Sequence, residues 1–166
     1  MRRVIVILGL SAGLLAPVEL RGAELDVKIH GATLADVRVT LFGLPAGSGL
    51  IGRGQAFDAK FDQMALTAQD APQLLTLVRD VLQLPPRSEV KIEGTIDRAR
   101  FKAMVERSKS GHAEIKVEGL TFADSQQMLA FLETVTHQGA KECKVRGFIG
   151  QRPIEVKLKQ EVVKAR

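Results

Sequence analysis

The side chains able to act as nucleophile, acid–base group or metal ligand are few and scattered. His30, His112 and His137 lie far apart, and none has a His, Cys or carboxylate partner at ligand spacing on its own element. Zinc sites depend on such sets, so no metal is expected. Cys143 falls in an inward strand slot, the slot that Val90 fills in a related segment. It reads as a buried, inert small hydrophobe, because a reactive thiolate needs exposure and cationic neighbours. Beyond the apolar N-terminus the serines are Ser48, Ser88, Ser108, Ser110 and Ser125, all in loops or at a helix start. Ser48 comes closest to a Gly-x-Ser-x-Gly elbow but lacks the strand-to-helix context that exposes the nucleophile. Gly47-x-Gly49-x-x-Gly52 formally matches a dinucleotide fingerprint. That motif works only when a helix follows directly, so that N–H groups and the helix dipole meet the phosphates. Here residues 55–61 follow with a strand pattern, so the motif reads as a glycine-rich loop. The expectation is a non-enzyme without a cofactor.

Two sets of residues could bind rather than react. The loop 43–54 carries Leu44, Leu50, Ile51 and Arg53, apolar and basic groups on a segment with little scope for burial; a partner or membrane surface would cover them. The second set is a basic sheet face: Lys91, Lys144, Arg146 and Lys157, joined by Lys28, His30 and Lys159. Asp26, Glu89, Glu93, Glu142 and Glu155 are interspersed. Mixed-sign strand faces are normal solvated surface. The functional alternative is a shallow dock for an anionic surface, either lipid head groups or an acidic protein. The chain has no Trp and no Tyr, which disfavours a carbohydrate module. Its seven Phe mostly occupy apolar slots, so the outward aromatic platform of a single-strand nucleic-acid binder is missing.

The elements that must position these residues follow from periodicity. Residues 26–30 and 37–41 alternate polar and apolar, as half-buried antiparallel strands do. Leu74, Leu75, Leu77, Val78, Val81 and Leu82 form one helical stripe; Met128, Leu129, Phe131, Leu132 and Val135 form another. Asp70 and Asp124 suit the N-caps, and Pro72 suits the first turn. Residues 57–105 and 114–158 share a layout of strand, helix and hairpin. A shift of 54 places Thr67 on Thr121 and Asp70 on Asp124; after the helix a shift of 53 places Glu89 on Glu142 and Gly94 on Gly147. One unit occurring twice is the reading. The expected fold is therefore α+β: a two-layer sandwich of a mostly antiparallel sheet with two helices on one face, in the order ββ-βαββ-βαββ by internal duplication. Two small tandem sheets are the competing arrangement. Gly94 and Gly147, on the apolar side, mark either a close helix approach or a bulge.

Residues 1–23 begin Met1-Arg2-Arg3, continue with an apolar run from Val4 to Leu15 and contain small residues near Ala16 and Ala23. This pattern describes a signal peptide. Arg21 weakens cleavage after Ala23, so an uncleaved N-terminal anchor stays open. Residues 24–166 then form a single domain, long enough to bury about 70% of its unfolded surface without disulfides. Without Arg2, Arg3, Arg21 and Glu19 the net charge falls from +5 to +3, which weakens any nucleic-acid reading. The function expected is an exported, non-enzymatic interaction or adaptor module of the cell envelope that binds another protein. The alternative is a periplasmic carrier of a lipid or other apolar or anionic ligand.

Overall fold

A computed structural model of the chain describes residues 3–7, 24–44 and 47–161. In chain order the elements are β1 (Arg3–Ile7), β2 (Glu24–His30), α1 (Leu34–Phe42), β3 (Phe57–Leu66), α2 (Ala71–Asp80), β4 (Ser88–Ile96), β5 (Ala99–Arg107), β6 (Ala113–Phe122), α3 (Ser125–His137), β7 (Ala140–Ile149) and β8 (Arg152–Lys159). The eight strands make one sheet in which chain order is also spatial order. Strands β1 to β4 pair in parallel, as do β6 and β7; β4–β5, β5–β6 and β7–β8 are antiparallel. Parallel neighbours cannot be joined by a tight turn. Helices α1, α2 and α3 are the crossovers for β2–β3, β3–β4 and β6–β7. Right-handed crossovers that all advance across the sheet in the same sense put their helices on one face; α1 packs on α2, and α2 on α3.

This corrects the expected sandwich in three respects. The sheet is mixed, not mostly antiparallel. Among the described residues there are three α-helices, not two. The chain does not open with a hairpin, because residues 37–41 lie in α1. The alternating apolar run there suggests a strand, but the local hydrogen bonding is that of a helix start. Thr33 Oγ1 accepts from Asp36 N at 3.1 Å, and Asp36 Oδ2 accepts from Thr33 N at 2.8 Å. That reciprocal capping box satisfies two N–H groups that a helix start otherwise leaves orphaned. Val37 and Leu41, one helical turn apart, are then fully buried, while Val39 is 47% exposed.

The sheet's inner face explains the core. Val27, Ala59, Val90, Val105, Ile115 and Cys143 stand side by side across six strands, and Ile29, Phe61, Ile92, Ala103, Val117 and Val145 form the next row. Leu74, Leu77 and Val78 of α2, with Phe131 and Val135 of α3, close over these rows and are buried. The units β3-α2-β4-β5 and β6-α3-β7-β8 share one connectivity. Their alignment differs from that read in the sequence. Met64 faces Gly94 and Leu120 faces Gly147, so Met64 corresponds to Leu120, an offset of 56. Thr67 and Thr121 do not correspond: Thr67 accepts no strand role and bonds Asp70 in a capping box, whereas Thr121 lies inside β6.

Gly94 and Gly147 mark bulges. The ladders β3–β4 and β6–β7 slip between Phe61 and Met64 and between Glu118 and Leu120. A Cβ on Gly94 would stand 2.1 Å from the Met64 carbonyl oxygen, and one on Gly147 the same distance from that of Leu120. No helix among the described residues is long and apolar enough to cross a membrane. Residues 8–23, with the cleavage site read at Ala23, and residues 162–166 lie outside the described residues.

Candidate functional site

All three helices cover the same face, so the opposite face of the sheet is bare. Its side chains follow from alternation: every residue between two inward ones points out. Co-directional strands β2, β3, β4, β6 and β7 each carry an acidic residue, an inward apolar residue and a lysine. The tripeptides are Asp26-Val27-Lys28, Asp58-Ala59-Lys60, Glu89-Val90-Lys91, Glu114-Ile115-Lys116 and Glu142-Cys143-Lys144. The register stacks like on like. Asp26, Asp58, Glu89, Glu106, Glu114 and Glu142 form one cross-strand row, ended by Lys159. Lys28, Lys60, Lys91, Lys116, Lys144 and Lys157 form the adjacent row, interrupted only by Met104 of β5. A third row alternates: Glu93, Lys102, Glu118, Arg146 and Glu155.

The charges neutralise both along the strands and, at Lys60–Glu93 and Arg146–Glu155, across them. Lys91 Nζ lies 2.8 Å from Glu89 Oε1, and Lys144 Nζ lies 3.0 Å from Glu142 Oε1. Lys60 reaches Glu93 at 3.3 Å, and Glu155 holds both Lys157 at 3.3 Å and Arg146 at 3.5 Å. The hydrogen bond to Glu89 holds Lys91 above its usual range, against partial desolvation. Hydrogen bonds from Lys144 and Lys157 hold Glu142 and Glu155 below the usual carboxylate range. Surface pairs of this kind add little to stability, because solvent and salt screen them. Across strands, like charges directly opposite one another are destabilising. Alternating signs in both directions would be more stable, so stability alone would not select these rows.

The expected site residues separate in space. Lys91, Lys144 and Lys157 share the lysine row, and Arg146 stands in the next one. The other set dissolves. Leu50 is only 9% exposed and Ile51 packs against the core, leaving Leu44, 79% exposed, and Arg53 outside. The loop folds inward because Gly49 sits against the Leu41 carbonyl and Gly52 against that of Gly47, approaches that leave no room for a Cβ. Leu50 N donates to Thr40 O at 2.9 Å. Residues 45 and 46 of this loop lie outside the described residues. What the sequence reading missed is the share of β3, β5 and β6 in the face. The signal was present: 114–119, Glu-Ile-Lys-Val-Glu-Gly, repeats 89–94, Glu-Val-Lys-Ile-Glu-Gly.

The nucleophile candidates are not grouped. Cys143 is fully buried, and burial pushes its thiol up to about 11. His30 Nδ1 lies 2.6 Å from Asp62 Oδ1 at the end of β2. Among the described residues no cluster of three His, Cys, Asp or Glu side chains could hold a metal ion. An open depression of about 630 Å³ lies over the β3 bulge, rimmed by Lys60, Asp62, Glu93, Arg100 and Lys102; charge is mixed there too. Compared with family models, curated proteins and solved structures, the chain matches none.

Proposed function

We propose that the chain is an exported, non-enzymatic adaptor of the cell envelope that binds another envelope protein by strand addition at the outer edge of β2. The observation that carries this reading is β1. Residues 3–7 pair in parallel with residues 24–28, Arg3 opposite Glu24 through Ile7 opposite Lys28. They belong to the segment read as a removable leader. Export then takes away the strand that covers that edge among the described residues and leaves a row of unpaired N–H and C=O groups, a template for an extended segment of another chain. The far edge is guarded: β8 carries Pro153, Lys157 and Lys159, residues that blunt edge pairing.

The competing carrier reading has less support. A lipid or other apolar ligand would need the space between helices and sheet, which Phe57, Phe61, Leu74, Leu77, Ile115 and Phe122 fill at 1% exposure or less. An anionic lipid surface would meet six carboxylates beside seven lysines, with little net attraction.

The test uses a photo-crosslinker at position 28 on β2, with position 157 on β8 as control, in protein exported by its own host. The reading expects one envelope protein to be trapped from position 28 alone, by a form whose N-terminus lies beyond residue 7. Equal trapping from both positions of a protein other than a second copy of this chain, or an exported form that still begins at Met1, contradicts it.

A further inference from the structure

The bare face has a property that does not depend on the β2 edge: its two charge rows are self-complementary. Consider two copies placed face to face. A two-fold axis running parallel to the strands would set acid row on acid row. A two-fold axis running along the rows, between them, sets acid on lysine at β2, β3, β4, β6 and β7, while Glu106 meets Met104 at β5 and Lys159 meets Lys157 at β8. Each strand then faces its own counterpart, Glu89 over the second copy's Lys91 and Lys91 over its Glu89, and likewise for Glu114 with Lys116 and Glu142 with Lys144. We infer that the chain self-associates through this face as an isologous dimer with that axis.

Three features favour a second copy over other occupants. The two rows nearly balance, six carboxylates against seven lysines with Lys159 counted, so a uniformly charged surface gains little from them. A partner must itself carry two opposite rows at strand spacing, ~4.8 Å along the row and ~7 Å between rows. A sheet of this same chain presents that pattern by construction, and a closed two-fold contact is the usual way one patch meets itself. The acid row also holds side-by-side like charges that stability alone disfavours; opposed lysines from a second copy relieve them. The rows span roughly 29 Å across the strands, which places the interface at the small end of specific contacts. The dimer is therefore weak and salt-sensitive, with charge setting orientation more than affinity.

Sedimentation equilibrium of the full chain tests this at about 20 mM and about 500 mM salt, between which the screening length falls from about 20 Å to about 4 Å. The expected result is a reversible dimer at low salt and a monomer at high salt. The double variants E89K/E142K and K91E/K144E should each be monomeric at low salt, and mixing them should restore a heterodimer, because each supplies the row the other has lost. Circular dichroism checks that both are folded. If either fails to fold, the single variants E114K and K116E replace them, with the same expected restoration on mixing. A monomer at low salt up to millimolar protein overturns the inference. So does a dimer that survives both reversals, or a mixture that stays monomeric.

Discussion

The residues that matter most for building this molecule are those with no room around them. Gly94 and Gly147 sit opposite the bulges of β3 and β6, where an added methyl would collide with backbone and not with a yielding side-chain tip. Gly94→Ala and Gly147→Ala should each destabilise the chain by about 1–3 kcal/mol, as overpacking does. Gly150, at φ 61° with open space around the missing Cβ, should cost only about 1 kcal/mol on conversion to Ala. Denaturant midpoints of the three variants check the ranking. Cys143 supplies a pH prediction. Folding raises its thiol from an ordinary value near 9.0 to about 11, so the folded state favours the protonated form. That contribution is complete below about pH 9 and is lost as pH rises through about 11. Cys143→Val, which copies the Val90 slot, should flatten the loss of stability across this window relative to the unmodified chain. A thiol reagent at pH 8 should label Cys143 only as fast as the chain opens. The buried slot of Cys143 was legible from alternation; for the two glycines alternation gave only the apolar side and left a close helix approach and a bulge open, a choice the register of β3–β4 and β6–β7 decides.

At the level of elements, strands β2 to β8 and the two larger helices could be read from periodicity, and β1 and α1 could not. Its nine residues contain the alternating apolar positions Val37, Val39 and Leu41, and the signal that decides their conformation lies outside the run, in Thr33 and its bond to Asp36 N. Thr33→Ala should therefore lower stability by about 1 kcal/mol, near 3 °C in Tm for a domain of this size. A Val39 substitution by a polar residue, on the exposed side of α1, should be close to neutral. Misreading α1 also hid the parallel pairing, because a strand in its place would have returned the chain beside β2, where β3 belongs. The loop 43–54 was misjudged for a related reason. Its glycines looked like freedom, but Gly49 and Gly52 serve close packing, and Leu50 belongs to the core. Leu50→Ala should cost about 2 kcal/mol or more, read as a lower denaturant midpoint, where a purely partner-facing leucine would leave stability unchanged.

At the scale of the whole molecule, the proposals rest on the charged face that the helices leave uncovered and on the edge of β2 that β1 occupies. The face was half legible. Single strands displayed their acid-x-lysine pattern, but rows exist only once five strands run the same way in matched register, which no local window of sequence contains. The edge is the center of the account, because β1 occupies it with a segment read as removable. Amide hydrogen exchange across β2 tests this most directly, comparing the full chain with the exported form. The account predicts that residues 24–28 of the full chain are protected, that about half of those amides exchange rapidly in the exported form, and that the bound partner restores their protection. Identical exchange of β2 in both forms, or a partner that protects β8 and leaves β2 unchanged, would contradict it.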